Sequence, residues 1–263
     1  MKLTIDTDCR TLTIGSDESA RTLDLYGAEA FGMLSRQWLK SAWAQKYSYM
    51  FTWLGRPIIQ LPEDLLKIQE VIYRTRPDII IETGIAHGGS LMFYAGLCKI
   101  MGTGRVIGID IKIHRHNRVA IEDHPLKPYI TLIEGDSAAA STVEHVKALI
   151  RPDDRVMVLL DSNHSYDHVA LELRAYADIV TPGSYLLVQD GITHDLWDVP
   201  GGDPAWAEDN PTQAVADFVA ERPDYMIESP PWVFNESSVQ EGLTHWPSGW
   251  LKRHARSSGV PED

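Results

Sequence analysis

The chain of 263 residues has only two cysteines, Cys9 and Cys98. Two cysteines are too few for a disulfide framework or a cysteine-rich metal site, as expected in a reducing cytosol. Long apolar segments are also missing, since no run approaches the ~18 consecutive apolar residues of a transmembrane helix. Repeats and low-complexity segments are absent as well. The length then fits one α/β domain with a modest extension.

Positive charge is scarce: 24 Lys and Arg stand against 37 Asp and Glu, which gives a net charge of −13. This charge repels nucleic acids and anionic membranes at long range, so neither is expected as a partner. A neutral or cationic small molecule fits better. Residues 1–15 contain acidic side chains and no apolar run, so we expect no signal or transit peptide and a cytoplasmic location.

The N-terminal region, residues 1–60, gives mixed signals. Residues 2–14 have the pattern of a hairpin, and aromatic side chains are frequent between Trp38 and Trp53. The aromatic segment fits a helical cover packed on the core, because aromatic side chains bury large areas. It fits a substrate lid equally, and both interpretations stay open.

A regular alternation of helices and strands begins after this region. Residues 61–77 predict a helix, since Pro62 can begin it and acidic residues fill its first turn. Residues 78–84 then predict a β-branched strand, and residues 89–102 an apolar helix. Further strands are predicted at 105–110, 129–137, 155–161, 183–190, 224–229 and within 232–253, and further helices at 138–150, 165–179 and 211–223.

This order predicts a Rossmann-like α/β fold, in which helices cover both faces of a mainly parallel sheet. The predicted domain spans residues 61–250, and residues 251–263 are expected to be a disordered tail. In such sheets ligands bind beyond the carboxyl ends of the strands. The polar residues at those ends are Glu82, Asp110, Asp136, Asp161, Gln189 and Asp190.

The loop E-T-G-I-A-H-G-G-S, residues 82–90, is the first candidate for a cofactor site. Its glycines allow sharp turns and a close approach of a ligand to the backbone. The dinucleotide fingerprint does not fit, because its second glycine falls where Ala86 stands, and no phosphate-binding lysine follows. A loop headed by Glu82 suits an ammonium-bearing cofactor better than a pyrophosphate.

Acids after the next two strands extend this site. Asp110 stands where Rossmann-like folds place the acid that accepts hydrogen bonds from an unphosphorylated ribose. Asp136 and Ser137 follow the third strand, where they can bracket an adenine ring. Strand-end Asp residues also often cap the next helix, so this alternative stays open for Asp136.

These motifs, with V-I-G-I-D-I, E-G-D-S, L-L-D-S-N-H-S-Y-D-H-V and G-S-Y-L-L-V-x-D, resemble the cephalosporin hydroxylase/rhamnosyl O-methyltransferase group of class I S-adenosylmethionine methyltransferases. The match spans roughly residues 45–195. It implies a seven-stranded fold that methylates sugar hydroxyls with the help of a divalent cation. The cofactor-binding residues predicted from the motifs and their loops are Glu82, Gly84, His87, Gly88, Ser90, Asp110, Asp136 and Ser137.

The reacting edge is predicted at Asp161 and Asp190, which end neighbouring strands. Their carboxylates suit Mg²⁺, which can orient two substrate oxygens and lower the pKa of the hydroxyl to be methylated. Gln189 is the predicted third ligand, although relatives often carry an acid there. His164 is the predicted general base, because an imidazole titrates near neutral pH, and Asp161 is predicted as the second catalytic residue. Alternatively, His164 only caps the following helix.

The leading prediction is S-adenosylmethionine-dependent O-methylation of a small natural product, such as a deoxysugar of a glycosylated metabolite. A hydroxylase or a hydroxylase-associated protein is a second candidate, but the sequence shows no 2-His-1-carboxylate set. A non-catalytic S-adenosylmethionine-binding subunit is a third candidate, kept open by Gln189. The sequence does not identify the acceptor, and it leaves a homo-oligomer open.

Overall fold

The computed structural model describes residues 2–17, 19–239 and 242–255. These residues form two compact units. One comprises the described residues up to 47 together with those in 232–243, and the other comprises 48–231 and the described residues from 244 on. The predicted boundary of the methyltransferase domain at residue 60 stays a prediction. Trp53 packs edge-to-face on Phe93 within the second unit, with ring centroids 4.9 Å apart.

The first unit contains a three-stranded antiparallel sheet of β1 (Leu3–Asp6), β2 (Thr11–Ile14) and β3 (Arg21–Asp24), followed by helix α1 (Ala28–Ala44). The predicted hairpin over residues 2–14 is confirmed by β1 and β2, whereas β3 was not predicted. Trp38 of α1 packs edge-on against Tyr47. The function of this unit as a lid stays a prediction.

The second unit is built on a seven-stranded sheet with the order β11-β12-β10-β9-β6-β7-β8. Only β12 runs antiparallel to its neighbours β10 and β11 among these described strands. The strands are β6 (Ile79–Thr83), β7 (Arg105–Asp110), β8 (Ile130–Glu134), β9 (Val156–Leu160), β10 (Tyr185–Val188), β11 (Tyr225–Ile227) and β12 (Trp250–Arg253). A separate two-stranded ribbon is formed by β4 (Thr52–Trp53) and β5 (Arg56–Pro57).

Helices accompany this sheet along the chain. They are α2 (Pro62–Thr75), α3 (Gly89–Met101), α4 (Arg115–Glu122), α5 (Ala140–Ala148), α6 (Tyr166–Tyr176), α7 (Thr193–Leu196) and α8 (Pro211–Glu221). Alternate residues of β6 belong to different apolar clusters: Ile80 to one, Ile79 and Ile81 to the other. Because successive strand side chains point to opposite faces, both faces of the sheet are covered. The predicted fold class is confirmed.

The segment between β10 and α8 contains the short helix α7 and a 3-10 turn, Pro204–Ala207. One local prediction differs from the structure. Residues 251–253 belong to β12, where Leu251 is fully buried, so the sheet continues past the predicted start of the tail. Residues 256–263 of that tail lie outside the described residues. Within the part of the chain that is described, every helix is too short or too polar to cross a bilayer.

Candidate active site

The candidate site lies at the carboxyl ends of four adjacent strands, which the backbone joins by hydrogen bonds. Gly84 N donates to Ile109 O at 2.7 Å, and Asp161 N donates to Thr83 O at 2.9 Å. Gln189 N donates to Leu160 O at 3.0 Å. The ends of β7, β6, β9 and β10 are therefore held side by side, as predicted from the strand-end acids.

Glu82 is the acid at the head of the glycine loop, and it is fully buried. Ser90 Oγ donates a hydrogen bond to Glu82 Oε2 at 2.8 Å, so two predicted cofactor residues are in direct contact. Burial raises the pKa of Glu82 to about 8, because a carboxylate is poorly solvated there. The other oxygen, Oε1, is buried without a hydrogen-bond partner among the described residues.

The glycine loop fits tightly against its neighbours. Gly84 has a φ of +77°, and a Cβ there would lie 2.0 Å from the Asp161 carbonyl oxygen. A Cβ on Gly89 would lie 2.1 Å from the carbonyl oxygen of Pro57. The glycine loop can lie this close to the backbone of Asp161 and Pro57 only because Gly84 and Gly89 have no side chain.

Asp110 organises the same loop. Its Oδ2 accepts hydrogen bonds from Ile85 N at 3.1 Å and Ala86 N at 3.3 Å, and its Oδ1 accepts one from Lys112 N at 3.0 Å. The carboxylate is therefore placed beside the cofactor loop, and its bond to ribose stays a prediction.

Two residues that the sequence did not suggest hold the outer side of the loop. Arg56 donates to the His87 carbonyl oxygen at 2.9 and 2.6 Å and to Asn117 Oδ1 at 2.8 Å. Asn117 in turn donates to the Ala86 carbonyl oxygen at 2.9 Å. The predicted residue His87 is exposed, and Gly88, with a φ of +80°, precedes α3. The loop is therefore fixed from both sides.

Asp136 and Ser137 follow β8 as predicted, but their contacts are local. The exposed Asp136 accepts a hydrogen bond from Ala138 N through Oδ1 at 2.9 Å, a bond within the loop before α5, whose first turn has no side-chain cap, so Asp136 does not cap this helix. Buried Ser137 has its Oγ 3.3 Å from His168 Nε2. Their contact with adenine stays a prediction.

Three side chains form an acidic cluster beside the loop. One ligand atom from each of Asp161, His164 and Asp190 lies within 4.8 Å of the others. His164 Nε2 is 3.2 Å from Asp190 Oδ2. Asp190 has a φ of 53°, a strained conformation for a non-glycine residue that often marks a functional site. Burial raises the pKa of Asp161, and the charges of Asp190, Glu82 and Glu172 raise it further.

Gln189, the predicted third metal ligand, is 1 % exposed. Its Oε1 accepts a hydrogen bond from Gln60 Nε2 at 2.7 Å. The same nitrogen of Gln60 donates to Asp161 Oδ2 at 3.2 Å. Gln60 was not predicted as a site residue, and it stands in the segment assigned to the N-terminal extension. The metal role of Gln189 stays a prediction.

The donor set of the cluster fits a divalent cation. Two carboxylates offer hard oxygen ligands of the kind that Mg²⁺ and Mn²⁺ prefer, and an imidazole is a common ligand of transition metals. The negative charges around Asp161 oppose its ionisation, and a bound cation offsets this repulsion. Asp161, Asp190 and His164 are thus the residues able to hold a metal ion.

The fold and the site together define a class of protein. A seven-stranded sheet with an antiparallel β12 between β10 and β11, a glycine loop after β6 and acids at the next strand ends match the predicted class I methyltransferase. In this class the cofactor loop and the reacting edge adjoin, as Gly84 and Asp161 do here.

The chain belongs to the rhamnosyl O-methyltransferase/CmcI family, whose model matches residues 45–254. This membership confirms the predicted enzyme class, an S-adenosylmethionine-dependent O-methyltransferase. The rhamnosyl O-methyltransferase of Mycobacterium leprae (strain TN) is 29% identical over 141 residues, which is 53% of this chain and 59% of that protein. The protein of the same name from Mycobacterium tuberculosis (strain H37Rv) is 25% identical over 207 residues, 77% and 78% of the two chains.

Solved structures agree with the fold. The apo structure of CmcI-N160 matches with a TM-score of 0.53 and 23% identity over 78% of this chain and 76% of that one. The structure of CmcI-D160 with Mg and S-adenosylmethionine matches with a TM-score of 0.53 and 22% identity, covering 79% and 78%. At this level of identity the likeness supports the fold alone.

Proposed function

We propose that the protein transfers the methyl group of S-adenosylmethionine to a hydroxyl of a small natural product, with a rhamnosyl-type deoxysugar as the acceptor group. The observation that carries this proposal is the contact of the cofactor loop with the acidic cluster: Gly84 lies against the backbone of Asp161, and a small cavity is lined by Gly84, Ser90 and Asp161 together. The methyl group of a cofactor bound at the loop would then lie next to the carboxylates of Asp161 and Asp190. The names of the mycobacterial relatives support the rhamnosyl acceptor.

The transfer is an in-line displacement. The acceptor oxygen attacks the methyl carbon, the carbon–sulfur bond breaks, and its electron pair remains on sulfur, so S-adenosylhomocysteine leaves as a neutral thioether. His164 accepts the hydroxyl proton. His164 Nε2 lies 3.2 Å from Asp190 Oδ2, and a neutral imidazole has one ring nitrogen whose lone pair can accept that proton. Holding both reactants together supplies much of the rate enhancement.

Asp161 and Asp190 would hold Mg²⁺, whereas the third-ligand role predicted for Gln189 competes with the hydrogen bond that its Oε1 accepts from Gln60. When bound, the ion supplies charge that orients substrate oxygens and lowers the pKa of the attacking hydroxyl. Glu82, Gly84, Ser90 and Asp110 would bind S-adenosylmethionine, assisted by the predicted residues His87, Gly88, Asp136 and Ser137. The cofactor and the metal are thus assigned to neighbouring but separate groups of residues.

A cytoplasmic location and the absence of nucleic-acid and membrane partners are part of this proposal, supported by the net charge of −13. The cluster offers one histidine and two carboxylates, which differs from the 2-His-1-carboxylate set of iron oxygenases. No observation on the described residues therefore favours the hydroxylase alternative.

Methyl transfer from S-adenosylmethionine to a panel of rhamnosides, with and without EDTA, tests the proposal. We expect EDTA to abolish turnover while calorimetric binding of S-adenosylmethionine is nearly unchanged, and Asp190→Asn to weaken metal binding. If turnover is indifferent to EDTA and to Asp190→Asn but collapses with His164→Ala, transfer depends on the base and the metal role is wrong. Cofactor binding without transfer to any acceptor would favour the non-catalytic alternative.

A further inference from the structure

The side-chain amides of Gln60 and Gln189 form a buried pair behind the acidic cluster. Gln60 is 5 % exposed and Gln189 is 1 % exposed. Gln60 Nε2 donates to Gln189 Oε1 at 2.7 Å and to Asp161 Oδ2 at 3.2 Å. An amide nitrogen carries two hydrogens, so this one nitrogen uses both of them on these two acceptors. The orientation of Gln60 is therefore determined by its two partners.

The Gln60 nitrogen links Gln189 to Asp161. The bond to Gln189 is the shorter of the two, and it lies among buried groups where a lost donor leaves its acceptor unsatisfied. The bond to Gln189 thus fixes the Gln60 amide, and the fixed amide holds one oxygen of Asp161 in place. The other oxygen of Asp161 carries no such constraint from Gln60 and is free to bind a ligand.

The surroundings of Gln189 explain an amide rather than an acid at this position. Burial raises the pKa of Tyr94 well above its ordinary value, and the charges of Glu82 and Asp161 raise it further, whereas the Gln189 amide lowers it. Gln189 Nε2 and the Tyr94 hydroxyl are both buried without a hydrogen-bond partner among the described residues. A carboxylate at 189 would add one more negative charge to a buried region that already contains Asp161.

We propose that Gln60 is a positioning residue, which orients the Asp161 carboxylate for the divalent cation, and that Gln189 acts by fixing Gln60. This inference rests on the proposed function of Asp161 as a metal ligand. It differs from the sequence-based prediction for Gln189, because the Gln189 oxygen is engaged with Gln60 instead of with the cation. Mutation of a residue that orients a metal ligand typically lowers metal affinity about 10- to 100-fold.

Titration of Mn²⁺ into the full-length protein saturated with S-adenosylhomocysteine, followed by calorimetry, tests this role. Gln60→Met keeps the length of the side chain and removes the donor, so we expect Mn²⁺ affinity to fall about 10- to 100-fold. Affinity for S-adenosylhomocysteine should stay within about twofold of the parent, since no bond of the glycine loop is removed. Gln213→Met is the matched control, because it removes the amide-to-carboxylate bond from Gln213 to Asp217, 3.2 Å, on the surface of α8.

The partnership with Gln189 is tested by a double-mutant cycle. If Gln189 acts through Gln60, Gln189→Met should weaken Mn²⁺ binding, and the double variant should be no weaker than the Gln60→Met variant. If the two effects multiply, Gln189 contributes independently and the proposed partnership is overturned. Circular dichroism of each variant establishes that it is folded, and Gln189→Met tests the pair even where Gln60→Met does not fold.

Asp161→Asn separates this inference from the function on which it rests. Mn²⁺ binding that survives Asp161→Asn would overturn the proposed metal site, and the role of Gln60 with it. Binding that is lost in Asp161→Asn but unchanged in Gln60→Met and Gln189→Met would overturn the inference alone. Loss in Asp161→Asn together with the expected weakening in the glutamine variants supports both.

Discussion

Glu82 shows how burial of one carboxyl group makes stability depend on pH. Its pKa is raised to about 8 by burial, from an ordinary value of 4.5. Between these two values the folded protein retains a proton that the unfolded chain releases. The free energy of unfolding therefore falls as the pH rises through this range, until the folded state also loses the proton near pH 8.

Replacing Glu82 by Gln removes this titration while keeping an acceptor for Ser90. We expect Glu82→Gln to become more stable relative to the parent as the pH rises from 5 to 8. Over this range the difference between their free energies of unfolding should change by on the order of 3 kcal/mol. Urea unfolding at a series of pH values measures it. Glu144→Gln, at a side chain that is 70% exposed, is the control and should give a difference that does not vary with pH. A pH-independent difference for Glu82→Gln would mean that Glu82 is ionised in the folded protein.

At the scale of single residues, the sequence predicted groups that share a local pattern. Glu82, Asp110, Asp161 and Asp190 each lie at or just past the carboxyl end of a strand, and the structure brings the last two together and places the others at the glycine loop. Gln60 could not be predicted in this way. Its partners lie 101 and 129 residues further along the chain, and no local pattern encodes a contact of that range.

At the scale of elements, the junction of α3 with the segment before α2 depends on Gly89. A Cβ there would lie 2.1 Å from the Pro57 carbonyl oxygen and 2.8 Å from the Ile58 Cα. Backbone atoms cannot yield as a flexible side chain can. The start of α3 at Gly89 therefore restricts the backbone path from Pro57 to Gln60.

We expect Gly89→Ala to lower the free energy of unfolding by about 1 to 3 kcal/mol, as overpacking does, and to weaken S-adenosylmethionine binding. Gly96→Ala is the matched control in the same helix, because its nearest neighbours lie 3.9 Å away. It should stabilise the protein by up to about 1 kcal/mol through the better helix propensity of alanine. Denaturant unfolding of both variants checks this. Equal effects would show that the contact with Pro57 is unimportant.

The central strands were predictable because they are continuous apolar runs between helical segments. β6 and β9 are buried at every position, which removes the alternation of an exposed strand but leaves a strong apolar signal. β3 and β12 were harder to predict from the sequence, for a different reason. β3 has only one partly buried residue, and β12 follows a long polar stretch that contains no strand in its described part.

At the scale of the whole molecule, the class of fold was predictable but the division into units was not. The described residues within 232–243 group with the described N-terminal residues up to 47, an association that separates them from their sequence neighbours. Likewise, β12 enters the sheet between β10 and β11, although it comes last in the chain. Both facts depend on long-range pairing, which composition and periodicity do not record.

The central claim is that the loop from Glu82 to Ser90, together with Asp110, binds S-adenosylmethionine. Calorimetric titration of the purified protein with S-adenosylmethionine, S-adenosylhomocysteine and NAD tests it most directly. We expect micromolar affinity for the first two, weaker binding of NAD, and a loss of about 1.5 to 3 kcal/mol in Asp110→Asn, which weakens charge-assisted bonds to the ribose. NAD binding more tightly than S-adenosylmethionine, or an affinity unaffected by Asp110→Asn, would contradict the account.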